Sequence, residues 1–304
     1  MKEASIIIPT YNELENIRKL IPDVERVLSA HKILGEIIII DDNSPDGTGQ
    51  LAEELKKRYK NIVVIHRKAK LGVGSARKVG FAKASKNIII SMEGDMTHNP
   101  EYLPQFVEKI GQGYDLVIGS RYVDGAKILN WPLKRRIVSK VANGMARFLS
   151  GTKLNDVTSG YRAFKKELLG RLFIESYSYP FNMEFACEAS SRGFKVAEIP
   201  ITFIHRKEGK SKLNIVKELF AFLYIAFKFS YTYRPMYVFG GVGLLLLLLG
   251  FILGMNVVYL KVTGQIEKRL TLVFLTVLLL ISGIQMLAIG LIAKMIANFR
   301  REVV

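Results

Sequence analysis

Two long apolar stretches in the C-terminal third constrain this chain most. Met236–Tyr259 and Leu270–Ala293 are each 24 residues long and contain no charged side chain. As helices rising about 1.5 Å per residue, each would span roughly 36 Å, enough to cross a hydrocarbon core of about 30 Å. The sequence therefore predicts two membrane-spanning helices. The alternative, a core helix of a soluble protein, rarely needs so long an uncharged run.

Charge and the N-terminal sequence predict how the chain is oriented. The chain has 44 Lys plus Arg against 27 Asp plus Glu, a net charge of +17. The N-terminal part and the tail are basic, and basic flanks favour the cytoplasmic side, although the loop 260–269 carries +2 itself. The opening MKEASIIIPTYNE has too short an apolar run for a signal peptide. We therefore expect an N-terminal domain that faces the cytoplasm.

The first 205 residues alternate between short apolar runs and helix-length segments. The predicted strands are Ser5–Ile8, Glu36–Ile40, Ile62–Ile65, Ile88–Met92 and Leu116–Ile118. The predicted helices are Leu14–Ala30, Thr48–Tyr59 and Gly74–Ser85. Repeated strand-helix-strand units predict an α/β fold with a doubly wound, Rossmann-like parallel sheet. Functional groups should then lie at the carboxyl ends of the strands.

Residues 213–233 connect this domain to the first apolar stretch. Their polar side chains recur at three- and four-residue intervals, with aromatic side chains opposite. This pattern predicts an amphipathic helix in the membrane interface; a helix packed on the soluble domain is the alternative. The predicted organisation is a cytoplasmic domain over 1–212, an amphipathic interface segment over 213–235, and a two-helix membrane domain with a short basic tail over 236–304.

Polar clusters directly follow the first two strands. Residues 9–13, PTYNE, offer a fixed backbone, an aromatic ring and a carboxylate that could hold a base or ribose. Residues 41–48, DDNSPDGT, place two aspartates side by side. Burial of such carboxylates costs several kcal/mol unless they accept hydrogen bonds from nearby donors. A base edge or ribose hydroxyls would supply such donors. Each cluster alone could equally be a capped or solvated turn.

The third cluster, Glu93-Gly94-Asp95, follows the fourth strand. Two carboxylates separated by glycine can meet one divalent cation, and the glycine lets a pyrophosphate approach the backbone. Thr97 could add a hydroxyl oxygen. One cysteine and four scattered histidines argue against a zinc site. Any metal ion should therefore be bound by oxygen ligands, which suit magnesium or manganese.

The second half of the domain is rich in cations that could bind an anionic acceptor. Arginine binds phosphate through two parallel hydrogen bonds, while general attraction to anionic lipid headgroups is the simpler explanation. Both effects are expected, with most lysines serving the second. These cations are Arg121, Lys134, Arg135, Arg136, Arg162, Arg206, Lys207, Lys210 and Lys212. We expect Trp131, within the same region, to be a packing anchor or an interface aromatic rather than a sugar platform.

Taken together, these motifs resemble the inverting family 2 glycosyltransferases of GT-A fold, and within them the dolichyl-phosphate mannose synthase-like enzymes that use polyprenyl phosphate. The resemblance covers nearly the whole chain. It rests on IIIPTYNE, DDNSPDGT, the Glu93-Gly94-Asp95 position of the family's Asp-x-Asp, GSRY at 119–122, WPLKRR at 131–136, DVTSGYRAF at 156–164 and the two apolar stretches. It implies transfer of one sugar, GDP-mannose being the favoured donor and UDP-glucose or UDP-N-acetylglucosamine the alternatives, to dolichyl or polyprenyl phosphate.

The resemblance also implies roles for individual residues. The expected nucleotide-sugar contacts are Pro9, Thr10, Tyr11, Glu13, Ile40, Asp42, Glu93 and Gly94. The expected ligands of Mg²⁺ or Mn²⁺ are Glu93, Asp95 and Thr97. The expected acceptor-phosphate contacts are Arg121, Arg135, Ser139, Arg206 and Lys212. The expected catalytic residues are Asp95, Arg121 and Asp156. Glu93 departs from the family, which has aspartate there, and Thr97 stands where a glutamine is common.

Two other kinds of function fit this sequence less well. A processive polysaccharide synthase would by resemblance need a Gln-x-x-Arg-Trp motif and more membrane helices, and the sequence has neither. A catalytically silent membrane partner or a nucleic-acid binder would suit the positive charge, but the basic residues adjoin apolar membrane segments, so membrane lipids explain them more simply. The expected partners are thus a nucleotide sugar, a polyprenyl phosphate and membrane lipids, without nucleic acid; a homo-oligomer is compatible with the resemblance.

Overall fold

The computed structural model describes residues 2–178, 180–204, 220, 224, 227–228, 230, 235–265 and 269–302. The strands are β1 Glu3–Thr10, β2 Leu34–Asp41, β3 Ile62–His66, β4 Ile88–Ser91, β5 Leu116–Ser120, β6 Lys127–Leu129, β7 Arg162–Lys165, β8 Val196–Pro200 and β9 Thr202–Ile204. The helices are α1 Leu14–Ala30, α2 Thr48–Arg58, α3 Val73–Lys83, α4 Leu103–Gly111, α5 Leu133–Ser150, α6 Pro180–Ser191, α7 Pro235–Val262 and α8 Leu270–Glu302. All five predicted strands and all three predicted helices are present.

A seven-stranded sheet in the order β3-β2-β1-β4-β7-β5-β8 forms the N-terminal domain. The pairs β1–β2, β1–β4 and β2–β3 are parallel, as the strand-helix alternation predicts. The strand β5 also pairs in parallel, with β8, a strand that was not predicted. The strand β7 runs antiparallel to both β4 and β5, so the sheet is mixed rather than wholly parallel. Because β7 is only four residues long and has no run of β-branched residues, its sequence carries no strand signal.

Helices cover both faces of this sheet, and β1 and β2 are therefore buried on both sides. One face packs its isoleucines against α1, α2 and α4. The other face packs an aromatic cluster, in which the rings of Phe81 and Phe164 lie 5.0 Å apart and those of Phe164 and Phe185 lie 4.8 Å apart. Helix α3 lies close to the sheet at Gly80, where a Cβ would lie only 2.5 Å from the side chain of Ile7. Glycine at this position therefore allows the close approach. This packing fixes the carboxyl ends of the strands.

The two apolar stretches form the helices α7 and α8. Pro235–Val262 and Leu270–Ala297 are each long and apolar enough to cross a membrane. They pack together through glycines, and a Cβ at Gly243 would lie 2.9 Å from the backbone oxygen of Gly283. Only 17% and 11% of their most apolar windows are buried, which argues against core helices of a soluble protein. Their orientation across a bilayer remains a prediction.

The chain divides into two compact units. One comprises residues 1–148 and 152–225, and the other comprises residues 149–151 and 226–304. The predicted domain boundaries and the predicted interface helix over 213–235 lie almost entirely outside the described residues. They remain predictions.

Candidate active site

The loops after β1 and β2 are joined by hydrogen bonds between the first two polar clusters. The Asp42 backbone N–H donates to the Thr10 carbonyl oxygen at 3.0 Å, and the Thr10 hydroxyl donates to the Ile40 carbonyl oxygen at 3.2 Å. The Glu13 N–H donates to the Thr48 hydroxyl at 2.9 Å. The two predicted nucleotide-binding clusters thus form one surface at the sheet edge.

The two adjacent aspartates have different environments. Asp41 is buried and accepts hydrogen bonds from the backbone N–H and hydroxyl of Ser44 at 3.1 and 2.5 Å. Asp42 accepts a hydrogen bond at 2.7 Å from Arg67, whose other amino group donates to Ser75 at 2.7 Å. Burial raises the pKa of Asp42 above its ordinary value, and the Arg67 charge opposes that rise. Asp41 is therefore structural, while Asp42 is a desolvated carboxylate suited to hydrogen-bond donors of a ligand.

Left-handed backbone conformations recur in the loops that follow three neighbouring strands. Asn12, Asn43 and Met96 have φ values of 56°, 58° and 62°, after β1, β2 and β4. Such values are uncommon for residues other than glycine, and they concentrate at functional sites because the surrounding structure must hold them. One residue in or directly beside each predicted polar cluster therefore has a backbone conformation that the surrounding structure must hold.

The Glu93-Gly94-Asp95 loop packs directly against the end of β1. A Cβ at Gly94 would lie 3.1 Å from the Thr10 methyl group, so this position favours glycine. The Thr97 backbone N–H and hydroxyl donate to the Asp95 carboxylate at 3.2 and 2.5 Å. Thr97 is buried, whereas Asp95 is half-buried. The loop thus presents Asp95 beside the predicted nucleotide surface, and Thr97 orients it.

Glu93 is held by a residue that the sequence analysis did not select. Arg77, which is fully buried on α3, donates from Nη2 to the Glu93 carboxylate. The Glu93 backbone N–H donates to Nδ1 of His98 at 2.9 Å, and the imidazole of His98 stacks on Tyr161 with ring centres 4.6 Å apart. Burial, aided by nearby arginine charges, lowers the pKa of His98 well below its ordinary value. His98 is therefore neutral and braces the loop.

The carboxylates of this loop suit a divalent cation only where other ligands complete its coordination shell. Within the described part of the chain, no group of three or more His, Cys, Asp or Glu side chains is placed to bind a metal ion. Magnesium at phosphate-transfer sites commonly takes one or two carboxylates and completes its shell with substrate phosphate oxygens and water. Asp95, with Glu93 two positions away, fits a cation of that kind. The residues do not fit a cation held by protein ligands alone.

On the other side of the site, Arg121 and Asp156 form a buried ion pair with two parallel hydrogen bonds. Arg121 Nε and Nη2 donate to the two Asp156 oxygens, each at 2.7 Å, and the Arg121 backbone N–H donates to Asp156 at 3.0 Å. Asp156 is 0% exposed. Burial alone would raise the pKa of Asp156, but the Arg121 charge and hydrogen bonds bring it below the ordinary value. Both groups are therefore charged, and Asp156 fixes the direction of the guanidinium.

Aromatic rings surround the Arg121 guanidinium. Its central carbon lies 4.9 Å from the ring centre of Trp131 and 5.4 Å from that of Phe203, and those two rings pack 5.1 Å apart. The prediction that Trp131 is a packing anchor agrees with this contact. Among the described residues, the hydrogen bonds of the side chain all come from Nε and Nη2. Nη1 therefore remains available to a ligand.

Helix α5 brings a second set of polar groups to Arg121. The Tyr122 hydroxyl donates to Ser139 at 2.9 Å, and Ser139 lies 3.4 Å from the Thr158 hydroxyl. Arg135, half-buried, lies one helical turn before Ser139 and therefore shares its face. Three of the predicted acceptor contacts thus come together. The other two, Arg206 and Lys212, lie outside the described residues.

One member of the predicted basic cluster has a different position. Arg162 is fully buried, and its guanidinium donates to the backbone oxygens of Asn182 and Ser159. Burial, with the charge of Arg77 nearby, lowers its pKa to about 9. Arg162 therefore braces the floor of the site and contacts neither headgroups nor an acceptor.

Sequence reasoning also missed Arg67, Arg77 and His98. Arg67 and Arg77 contact carboxylates that are 25 and 16 positions away in the chain. No local motif marks such a partner, because helix register and strand order decide which charges meet. His98 had a local signal, since it lies five positions after Glu93 in a loop already marked as functional.

Comparison with known proteins identifies the family. The model of glycosyl transferase family 2 matches residues 5–173, which include both clusters of the predicted nucleotide surface, the carboxylate loop and the Arg121–Asp156 pair. This chain belongs to that family. It is a glycosyltransferase, and the resemblance found in its sequence is confirmed.

Two curated relatives of this glycosyltransferase match most of its length. It is 40% identical to polyprenol monophosphomannose synthase of Mycolicibacterium smegmatis over 69% of this chain and 80% of the relative. It is 35% identical to undecaprenyl-phosphate mannosyltransferase of Micrococcus luteus over 68% of this chain and 86% of the relative. Both relatives support the transfer of a sugar to a polyprenyl phosphate.

A solved structure supports the fold. The structure of glucosyl-3-phosphoglycerate synthase from Mycobacterium tuberculosis with Mn²⁺, uridine diphosphate and phosphoglyceric acid matches with a TM-score of 0.55 at 20% identity, over 74% of this chain and 78% of that one. The similarity confirms the predicted GT-A-like α/β domain.

Proposed function

We propose that this enzyme transfers one mannosyl residue from GDP-mannose to the phosphate of a polyprenyl or dolichyl lipid, with inversion at the anomeric carbon. The observation that carries the proposal is the fixed guanidinium of Arg121, held by Asp156 at 2.7 Å beside a polar face of α5, in the same domain as the Asp95 loop. One set of residues suits a nucleoside diphosphate, and the other suits a phosphate monoester. The names of both curated relatives support a mannosyl group and a polyprenyl phosphate acceptor.

The donor side uses the loops after β1, β2 and β4. Asp42 supplies a desolvated acceptor for the N–H or O–H groups of a nucleoside, and Tyr11, with the Lys70 ammonium 4.3 Å from its ring centre, offers a face for a base. Glu13, Pro9, Thr10 and Ile40 complete the proposed pocket. Gly94, the remaining predicted contact in this loop, lets the loop lie against the end of β1.

The cation site belongs to the same loop. We propose that Asp95 holds Mg²⁺ or Mn²⁺, with Thr97 as a further candidate ligand. Glu93, the third predicted ligand, is engaged by Arg77. When bound, such a cation neutralises the charge that develops on the leaving nucleoside diphosphate. The cationic side chains of the protein strengthen this effect because they are oriented before the reaction begins.

The acceptor side positions the nucleophile. Arg121 Nη1, Arg135 and the Ser139 hydroxyl are proposed to bind the lipid phosphate, together with Arg206 and Lys212. A phosphate monoester has its second pKa near 6, so at neutral pH it is largely a dianion and already nucleophilic. One of its oxygens forms a bond to the anomeric carbon while the bond to the nucleotide oxygen breaks, and the nucleoside diphosphate leaves with that electron pair.

This chemistry needs no strong general base, and Asp156 is not suited to be one. Its carboxylate is fully buried, engaged by Arg121, and has a lowered pKa. A side chain in that state orients the cation that binds the phosphate. We therefore propose Asp156 as a positioning residue, with Asp95 and Arg121 in direct contact with the reacting groups.

The helices α7 and α8 suit a membrane-anchored enzyme, and a lipid phosphate lies at the membrane surface. We propose that the N-terminal domain faces the cytoplasm, since basic residues flank the two spans. A labelling reagent that cannot cross membranes tests this orientation. Introduced cysteines in the N-terminal domain should react in inside-out vesicles and not in intact cells.

The function is tested by incubating the purified full chain with polyprenyl phosphate, Mn²⁺ and, separately, GDP-mannose, UDP-glucose and UDP-N-acetylglucosamine. The lipid product is read by mass spectrometry. We expect a gain of one hexose with GDP-mannose, lost on chelation and lost in Asp95→Asn. If a lipid product forms only with a UDP-sugar, that UDP-sugar replaces GDP-mannose as the proposed donor. If no donor gives a lipid product, the proposed acceptor is refuted.

A further inference from the structure

An ion pair joins Glu93, at the position of the family's first metal aspartate and 26% exposed, to the fully buried Arg77. Arg77 is 0% exposed, and its Nη2 donates to the Glu93 carboxylate. Its Nε donates to the Ser91 hydroxyl at 3.0 Å, and its Nη1 donates to the Asn182 side-chain oxygen at 2.8 Å. The guanidinium therefore connects α3, β4 and α6, and Glu93 supplies its counter-charge.

The fold reserves space for this pair. A Cβ at Gly160 would lie 2.5 Å from the Glu93 carboxylate oxygen and 2.7 Å from Arg77 Nη2. Any side chain at that position would displace one of the two charged groups. Gly160 belongs to the segment that precedes β7, so a fourth part of the chain is shaped around the contact.

Glu93 and Asp95 therefore use their carboxylates differently. The Asp95 carboxylate accepts hydrogen bonds from Thr97, within its own loop. The Glu93 carboxylate reaches a fully buried group on another element, and the methylene that glutamate has beyond aspartate extends its reach. A carboxylate that ligates a cation must give up some of its other hydrogen bonds, and for Glu93 that would leave a buried guanidinium without its partner.

We propose that Arg77 is a positioning residue that holds Glu93 in a structural ion pair, and that Glu93 is therefore not a ligand of the divalent cation. The cation then takes its remaining ligands from the diphosphate and from water, as magnesium commonly does. The second half of this inference rests on the proposed function, since it assumes a cation bound with a nucleotide. The first half does not.

Metal binding tests the second half. Mn²⁺ is titrated into the full chain with GDP, and in parallel with UDP, and the free ion is followed by electron paramagnetic resonance. We expect Asp95→Asn to weaken Mn²⁺ binding about tenfold or more, and Glu93→Gln to change it by less than about threefold. Glu93→Gln weakening Mn²⁺ binding as much as Asp95→Asn would overturn the proposal, because Glu93 would then be a ligand.

Thermal unfolding without nucleotide or metal tests the first half. Glu93→Gln leaves Arg77 buried without a counter-charge, so its Tm should fall by about 6 °C or more. The double variant with Arg77→Gln and Glu93→Gln removes both charges. Its Tm should fall by much less than the sum of the falls measured for the two single variants. Additive shifts would refute the ion pair.

The double variant also protects the metal test against a folding failure. If Glu93→Gln alone does not fold, the double variant replaces it in the Mn²⁺ titration, and binding within about threefold of wild type is again expected. If the wild type fails to bind Mn²⁺ both with GDP and with UDP, the metal part of the proposed function is refuted. The thermal cycle would still decide whether Arg77 holds Glu93.

Discussion

Asparagine in place of Asp156 should destabilise the N-terminal domain and weaken acceptor binding together. The substitution keeps the size of the side chain and removes its charge. Arg121 would then be left in a site where Nε and Nη2 had carboxylate partners at 2.7 Å, with aromatic rings on its faces. The guanidinium would lose both its counter-charge and its fixed direction.

The magnitude follows from burial. Asp156 is 0% exposed, and removal of one partner from a buried ion pair costs about 3 to 5 kcal/mol. For a domain of this size each kcal/mol lowers Tm by about 2 to 4 °C, so a fall of roughly 6 °C or more is expected. The KM for polyprenyl phosphate should rise more than the KM for the nucleotide sugar, because Arg121 lies on the acceptor side.

A matched control separates burial from charge loss. Arg26 and Glu101 form another ion pair at 2.7 Å, but their side chains are 59% and 48% exposed. Since exposed pairs contribute little, Glu101→Gln should shift Tm by less than about 2 °C. Differential scanning fluorimetry measures the Tm shifts of Asp156→Asn and Glu101→Gln against wild type. Equal shifts for the two variants would refute the reasoning.

The same pair gives a pH dependence. The pKa of Asp156 is lower in the folded protein than the ordinary aspartate value near 3.9, so its charge stabilises the fold above that value. This stabilisation is lost as the pH falls through the folded pKa. The Tm difference between wild type and Asp156→Asn should therefore be full at pH 7 and should narrow below about pH 4. A difference that stays constant into that range would contradict the assignment.

Three further predictions concern other parts of the site. Gly94→Ala should raise the KM for the nucleotide sugar about tenfold in initial-rate assays, because the new Cβ would lie 3.1 Å from the Thr10 methyl group and push the carboxylate loop away from β1; an unchanged KM would contradict this. Arg67→Met removes the charge that opposes the raised pKa of Asp42, so nucleotide affinity measured by calorimetry should fall more just above the ordinary aspartate pKa near 3.9, at about pH 5, than at pH 8, and an equal loss at both would count against it. Trp131→Ala should weaken polyprenyl phosphate binding, whereas Trp131→Phe should largely preserve it; equal losses would point to a role beyond ring packing.

Much of the architecture could be predicted from local sequence. The apolar runs of β1 and β2 identify strands buried on both faces, and the helix-length segments between strands identify parallel units. These signals are local because backbone conformation and burial depend on periodicity over a few residues. The sequence also placed the polar clusters at strand ends, since each begins where an apolar run stops.

The antiparallel strand β7 shows where this reasoning ends. Its four residues carry no periodic signal, yet it inserts between β4 and β5. Its position in the sheet depends on pairing with two partners that are distant in sequence, and no short window contains that information. The segment just before β7 supplies Asp156 and Gly160, so a strand without a sequence signal helps to assemble both halves of the site.

The sequence by itself determined the two candidate membrane helices, the alternation of strands and helices, and the residue types available for chemistry. Only the tertiary structure decided which charges meet. Asp42 pairs with Arg67, Glu93 with Arg77, and Asp156 with Arg121, across 25, 16 and 35 positions of the chain. The physical reason is that apolar periodicity is written in neighbouring residues, while the partner of a buried charge depends on strand order and helix register.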